Sequence, residues 1–101
     1  MKLSVIIPTL NEEDSIGQTI DEIPKMDDME IMIVDGLSKD RTREIAREKG
    51  ARVVEEKRKG YGRAYKTGFK EAKGDLIATL DGDTTYPAEM IPEIVSILEK
   101  E

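Results

Sequence analysis

Cysteine and histidine are both absent from the chain. Without cysteine there are no disulfides and no thiolate metal site. Without histidine, every mechanism that needs imidazole is excluded, including Ser-His-Asp triads and His-ligated zinc. Long hydrophobic runs are also missing. None approaches the roughly 18 residues of a membrane span. The opening "MKLSVIIPTLNEE" is too short in its apolar part, and too acidic after it, for a signal peptide. The sequence therefore reads as cytoplasmic and without a membrane span. Positive charge is in deficit, with 16 Lys and Arg against 22 Asp and Glu and a net charge of −6. No basic face dominates, so nucleic acid is not the expected partner.

What remains suits one domain over residues 1–101, because the apolar residues come in compact blocks. Four blocks read as strands: "LSVIIP" (3–8), "EIMIVDG" (30–36), "ARVVEEK" (51–57) and "DLIATLDGD" (75–83). They are continuous rather than alternating, the pattern of parallel strands covered on both faces. Helical periodicity separates them. "DSIGQTIDEIPK" has Asp14 or Ser15 as its expected cap, and "KDRTREIAREKG" runs from Asp40 to Gly50. "GYGRAYKTGFKEAKG" ends at Gly74, and "YPAEMIPEIVSILEKE" is expected to start a helix at Pro87. The order βαβαβαβα predicts an α/β fold. Its core is a Rossmann-like parallel sheet, strand order 3-2-1-4, flanked by helices. Ligands bind such sheets beyond the carboxyl ends of the strands, at the point where the order reverses.

The acids fall on that edge. Glu12 follows strand 1, Asp35 closes strand 2, and Asp81 and Asp83 follow strand 4. Like charges gathered together need a positive partner. A divalent cation, or hydrogen-bond donors on a ligand, can provide one. The Asp-x-Asp spacing suits Mg2+ or Mn2+, hard cations that two carboxylates leave open to a diphosphate, and Gly82 lets the backbone come close. Taken singly, each feature is also an ordinary turn: Asp-Gly favours turns, and acids favour helix N-termini. Their coincidence on one edge favours the ligand. Lys57, Arg58 and Lys59 precede a glycine-rich helix start, a setting that favours phosphate, although Gly60-Tyr61-Gly62 is neither a Walker loop nor a dinucleotide fingerprint.

The segments "SVIIPTLNEEDSI", "IVDGLSKDRT", "GYGRAYKTGFKEAKGD" and "LDGDTTYPAEMIP" resemble, in order and spacing, family-2 glycosyltransferases of the GT-A type. The third segment is closest to polyprenyl-phosphate (dolichol-phosphate) mannosyl- and glucosyltransferases. The resemblance covers about residues 3–95. It implies a truncated GT-A fold that binds a nucleoside-diphosphate sugar (a GDP- or UDP-hexose). Pro8, Leu10, Glu12, Ile33 and Asp35 would hold base and ribose, and Asp81, Gly82 and Asp83 the diphosphate. Asp81 and Asp83 would hold the metal, Mg2+ or Mn2+. The implied reaction is inverting hexosyl transfer, with a lipid phosphate as acceptor. Two departures stand out. Leu10 replaces the family's usual aromatic residue, and Gly36 replaces the second acid of its Asp-Asp-Gly-Ser. The family's acceptor site and catalytic base have no counterpart here, so no catalytic residue is assigned and the chain alone is expected to be inactive.

Other readings stay open at this point. The chain could be a non-catalytic remnant that binds a partner or self-associates as a homo-oligomer through an open sheet edge at strand 4. A receiver-like phosphoacceptor domain lacks its acid pair after strand 1. A nucleotidyltransferase lacks its basic glycine-rich loop there.

Overall fold

A computed structural model describes residues 2–80, 84–87 and 96. The elements run β1 (Leu3–Thr9), α1 (Ile16–Glu22), β2 (Met29–Asp35), α2 (Thr42–Glu48), β3 (Arg52–Glu55), α3 (Tyr61–Glu71), β4 (Leu76–Thr79) and β5 (Thr84–Pro87). The sheet order is β3-β2-β1-β4-β5. The first four strands are parallel, as the 3-2-1-4 expectation has it. Thr9 pairs with Asp35 and Asp35 with Glu55, so β1, β2 and β3 end level.

The continuous apolar runs divide by alternation, because successive side chains of a strand point to opposite faces. Val5, Ile7 and Ile33 face one side and pack with Ile16, Ile20, Ala46 and Ala51 from α1, α2 and the turn after α2. Ile6, Met32, Val34 and Ile77 face the other and pack with Phe69 of α3. Both faces are therefore covered. Ile33 lies wholly within the first cluster. Its burial contributes to the packing of the sheet.

Gly50 closes α2 as expected. It has φ 87°, donates to the Arg47 carbonyl at 3.0 Å, and is followed by Ala51 donating to the Ala46 carbonyl at 3.0 Å. That paired closure needs a left-handed residue, which glycine supplies. Gly74 does not end α3, which stops at Glu71. Its place is set by crowding, since a Cβ there would lie 2.7 Å from Ser4 N.

The fourth strand is where expectation and structure part. Residues 84–87 form β5, antiparallel to β4, with Thr84 opposite Thr79 and Pro87 opposite Leu76. Pro87 therefore ends a strand instead of opening a helix. Thr84, Thr85 and Tyr86 are β-branched or aromatic, the residue types that favour strands, and proline is tolerated at a sheet margin. Of the rest of the expected fourth helix only Ser96 is described, and it is helical. β5 covers the edge of β4 and is itself the margin of the described sheet on that side.

α3 lies close over β1 because Gly68 faces it. A Cβ at Gly68 would come 2.7 Å from Ile6 Cγ2 and 3.3 Å from Val34 Cγ2, both on fully enclosed β-branched side chains. Gly68→Ala should therefore destabilise the fold by about 1–2 kcal/mol despite alanine's better helix propensity. Urea unfolding checks this, and an unchanged or raised midpoint would contradict the packing.

Candidate functional site

The carboxyl edge is built from two interlocked loops, one after β1 and one after β2. At their centre is Asp35, the last residue of β2, with its carboxylate fully buried. Oδ1 accepts from the Thr9 hydroxyl at 2.7 Å and from the Ser38 hydroxyl. Oδ2 accepts from the Ser38 backbone N–H at 2.7 Å. Arg43 Nε stands 3.5 Å from Oδ2, while its Nη1 reaches Glu55 at 2.9 Å and its Nη2 the Ser38 carbonyl at 3.0 Å. The positive partner that Asp35 needs is thus supplied from within, by Arg43 of α2. The carboxylate is enclosed, with Thr9, Ser38 and Arg43 around it.

Ser38 passes the linkage on. Its Oγ donates to Asp35 and accepts from the Asn11 backbone N–H at 2.8 Å. Asn11 returns the tie, its side-chain carbonyl accepting from Lys39 N–H at 2.8 Å. A second tie runs through Thr42. Its Oγ1 accepts from the Glu12 backbone N–H at 2.8 Å and donates to Asp40. Asp40 also accepts from the N–H groups of Thr42 at 2.9 Å and Glu13 at 3.2 Å. Asp40 stands one residue before the N-cap position of α2, which is Arg41, and its carboxylate ties the start of α2 to the neighbouring loop. Ser15, by contrast, precedes α1 with no side-chain capping bond.

These ties hold the expected ligand-facing residues in place. Pro8 is half-buried in β1 opposite Val34. Leu10 is 57% exposed, and Glu12 is exposed in the same loop. β4 brings its end to this edge, with Leu80 N–H donating to the Ile6 carbonyl at 3.2 Å. Asp81, Gly82 and Asp83 lie outside the described residues, and among the described residues no cluster of acids could hold a metal ion. Thr9, Asn11, Ser38, Thr42 and Arg43 were not singled out from sequence. The signal was there in "DGLSKDRT", where a serine three residues after an aspartate, and a threonine two after another, are the spacings of side-chain-to-backbone turns.

The basic loop is partly committed. Glu56 follows β3 and is buried, with its N–H bonded to the Asp35 carbonyl at 2.8 Å. Its carboxylate accepts from Arg58 N at 2.8 Å, Nε at 2.9 Å and Nη2 at 3.1 Å, and from the Thr67 hydroxyl. The Arg58 hydrogen bonds, followed by that of Thr67, outweigh the effect of burial and pull the Glu56 carboxyl down to about 2. Lys57 and Lys59 are exposed.

Residues 4–101 match the family described as Glycosyl transferase family 2. The chain is 45% identical over 100 residues to the low-salt glycan biosynthesis hexosyltransferase Agl6 of Haloferax volcanii, covering 95% of this chain and 24% of that protein. It is 40% identical to a dolichyl-phosphate hexose transferase of the same organism (95% and 42% covered). A dolichol-phosphate mannosyltransferase of Pyrococcus furiosus is 37% identical (98% and 30% covered). The chain thus spans well under half the length of these relatives. Among solved structures, it is similar to glucosyl-3-phosphoglycerate synthase from Mycobacterium tuberculosis in complex with Mn2+, UDP and glucosyl-3-phosphoglycerate. That match has a TM-score of 0.72 and 33% identity, over 78% of this chain and 32% of that one.

Two outcomes test this architecture. Asp35→Asn places an amide among donors and beside Arg43, and should lower stability by about 3 kcal/mol with an unchanged urea m-value. A loss under about 0.5 kcal/mol would mean that the carboxylate is not the tie. The second concerns pH. The folded-state carboxyl of Glu56 lies below its unfolded value of 4.5, so its contribution is present above pH 4.5 and lost as pH falls toward 2. Glu56→Gln should flatten that part of the stability–pH curve, and an unaltered slope would count against the ion pair.

With the parallel sheet, the interlocked loops and these matches in hand, the chain belongs to glycosyl transferase family 2 and carries part of its GT-A fold.

Proposed function

We propose that this chain is the donor-nucleotide portion of an inverting hexosyltransferase that passes a hexose from a nucleoside diphosphate to a polyprenyl phosphate. The observation that carries this is the family match over residues 4–101, laid on a sheet whose carboxyl edge presents Leu10 and Glu12 from a firmly tied loop. In the solved relative, UDP and Mn2+ are bound together. The curated relatives include transferases named for dolichyl phosphate, which supports a lipid-phosphate acceptor.

In this reading Pro8, Leu10 and Glu12 meet base and ribose, while Asp35 holds their loop from behind. Asp81 and Asp83 supply the hard oxygen ligands for Mg2+ or Mn2+, with Gly82 keeping the backbone close. The metal's contribution is to offset charge on the departing diphosphate. A phosphate-monoester acceptor has a second pKa of about 6 and is already anionic at neutral pH, so it needs little help from a base.

Calorimetry with UDP and GDP, each with and without Mn2+, tests the reading. Metal-dependent heat with at least one nucleotide is expected, abolished by Asp81→Ala or Asp83→Ala. No heat with either nucleotide would falsify it. Nucleotide binding that survives both substitutions would remove the metal assignment alone.

A further inference from the structure

Among the described residues, four large apolar side chains are exposed, and three of them, Leu10, Leu37 and Leu80, follow the carboxyl ends of β1, β2 and β4. Single exposed leucines are ordinary, but a concentration on one rim marks a surface that meets something. Leu37 differs from the others in its backbone. Its φ is 64°, in the left-handed region that crowds Cβ against the backbone and is left mainly to glycine. Asn11 is the other described non-glycine residue there, at φ 53°, and its side chain accounts for it by accepting from Lys39 N–H.

Leu37 has no polar group to do likewise. Its conformation is imposed by its neighbours: Gly36 N–H is held by the Thr9 carbonyl at 2.9 Å, and Ser38 N–H by Asp35 at 2.7 Å. The leucine side chain is still 40% exposed, so burial does not explain the choice of residue. Strain held this firmly collects where a ligand is met. Leu10 reaches toward the same turn, its Cδ1 3.7 Å from where a Cβ on Gly36 would sit.

We propose that Leu37 is a base-binding residue: strained backbone geometry sets its side chain on the rim, where with Leu10 it forms an aliphatic surface for the flat face of the nucleotide base. This rests on the nucleotide-binding reading above. An aliphatic surface accepts an aromatic face by desolvation and dispersion, without any polar match, and so fits the absence of an aromatic residue at position 10.

The test uses the full chain with Leu37→Ala and Leu37→Gly, and three probes in the presence of Mn2+: UDP, GDP and pyrophosphate. Whichever nucleoside diphosphate the unaltered chain takes should bind both variants about 5–10-fold more weakly, while pyrophosphate binding stays unchanged. The glycine variant should melt above the alanine variant by about 2–5 °C, because only alanine keeps the crowded Cβ. Unchanged nucleotide affinity in both variants, an equal loss for pyrophosphate, or an alanine variant that melts higher would each overturn the inference. An unaltered chain that takes neither nucleotide nor pyrophosphate would instead sink the reading beneath it.

Discussion

One buried carboxylate organises the carboxyl edge of the sheet. An ionised group taken out of water is expensive unless donors and a countercharge surround it. Asp35 has both, from Thr9, Ser38 and Arg43. Those partners come from β1, the loop after β2, and α2, so satisfying one charge forces three pieces of chain into a single arrangement. Buried ion pairs often add little net stability. Here the effect is geometric: a fixed relation between two loops that would otherwise wander.

That fixed relation separates two tasks along the rim. Asp35, Ser38, Asn11, Asp40 and Thr42 spend their hydrogen bonds on one another and on backbone N–H groups. Leu10 and Leu37 are left facing outward. A ligand meeting the second group encounters side chains whose backbone is already ordered, which reduces the entropy lost on binding. Nothing in the first group needs to touch a ligand to matter.

Much of the fold was legible in sequence because periodicity reports burial. Continuous apolar runs gave a sheet covered on both faces, and the alternation of Val5, Ile6 and Ile7 confirms why: neighbours serve opposite cores. The strand order followed from the βα series. "TTYP" was misread because Pro87 is equally at home opening a helix and closing a marginal strand, and local sequence does not choose between them. At the site, the place of Asp35 at the end of β2 was readable, but its bonding partners were not. Whether a strand-ending aspartate looks outward or inward depends on an arginine eight residues on, Arg43, and on a threonine from another strand, Thr9. Such partners are long-range facts that a motif does not carry. Arg58 is a local case: Lys57, Arg58 and Lys59 read together as a phosphate setting, yet Arg58 is engaged by Glu56, two residues before it.

The margin strand β3 is only four residues long, Arg52–Glu55, and both of its ends are charged. Arg52 is drawn to Glu30 and Glu71, and Glu55 to Arg43. A foreign strand laid alongside would find few backbone groups to bond and would have to displace or desolvate those ion pairs. The arrangement disfavours the addition of a strand at this margin.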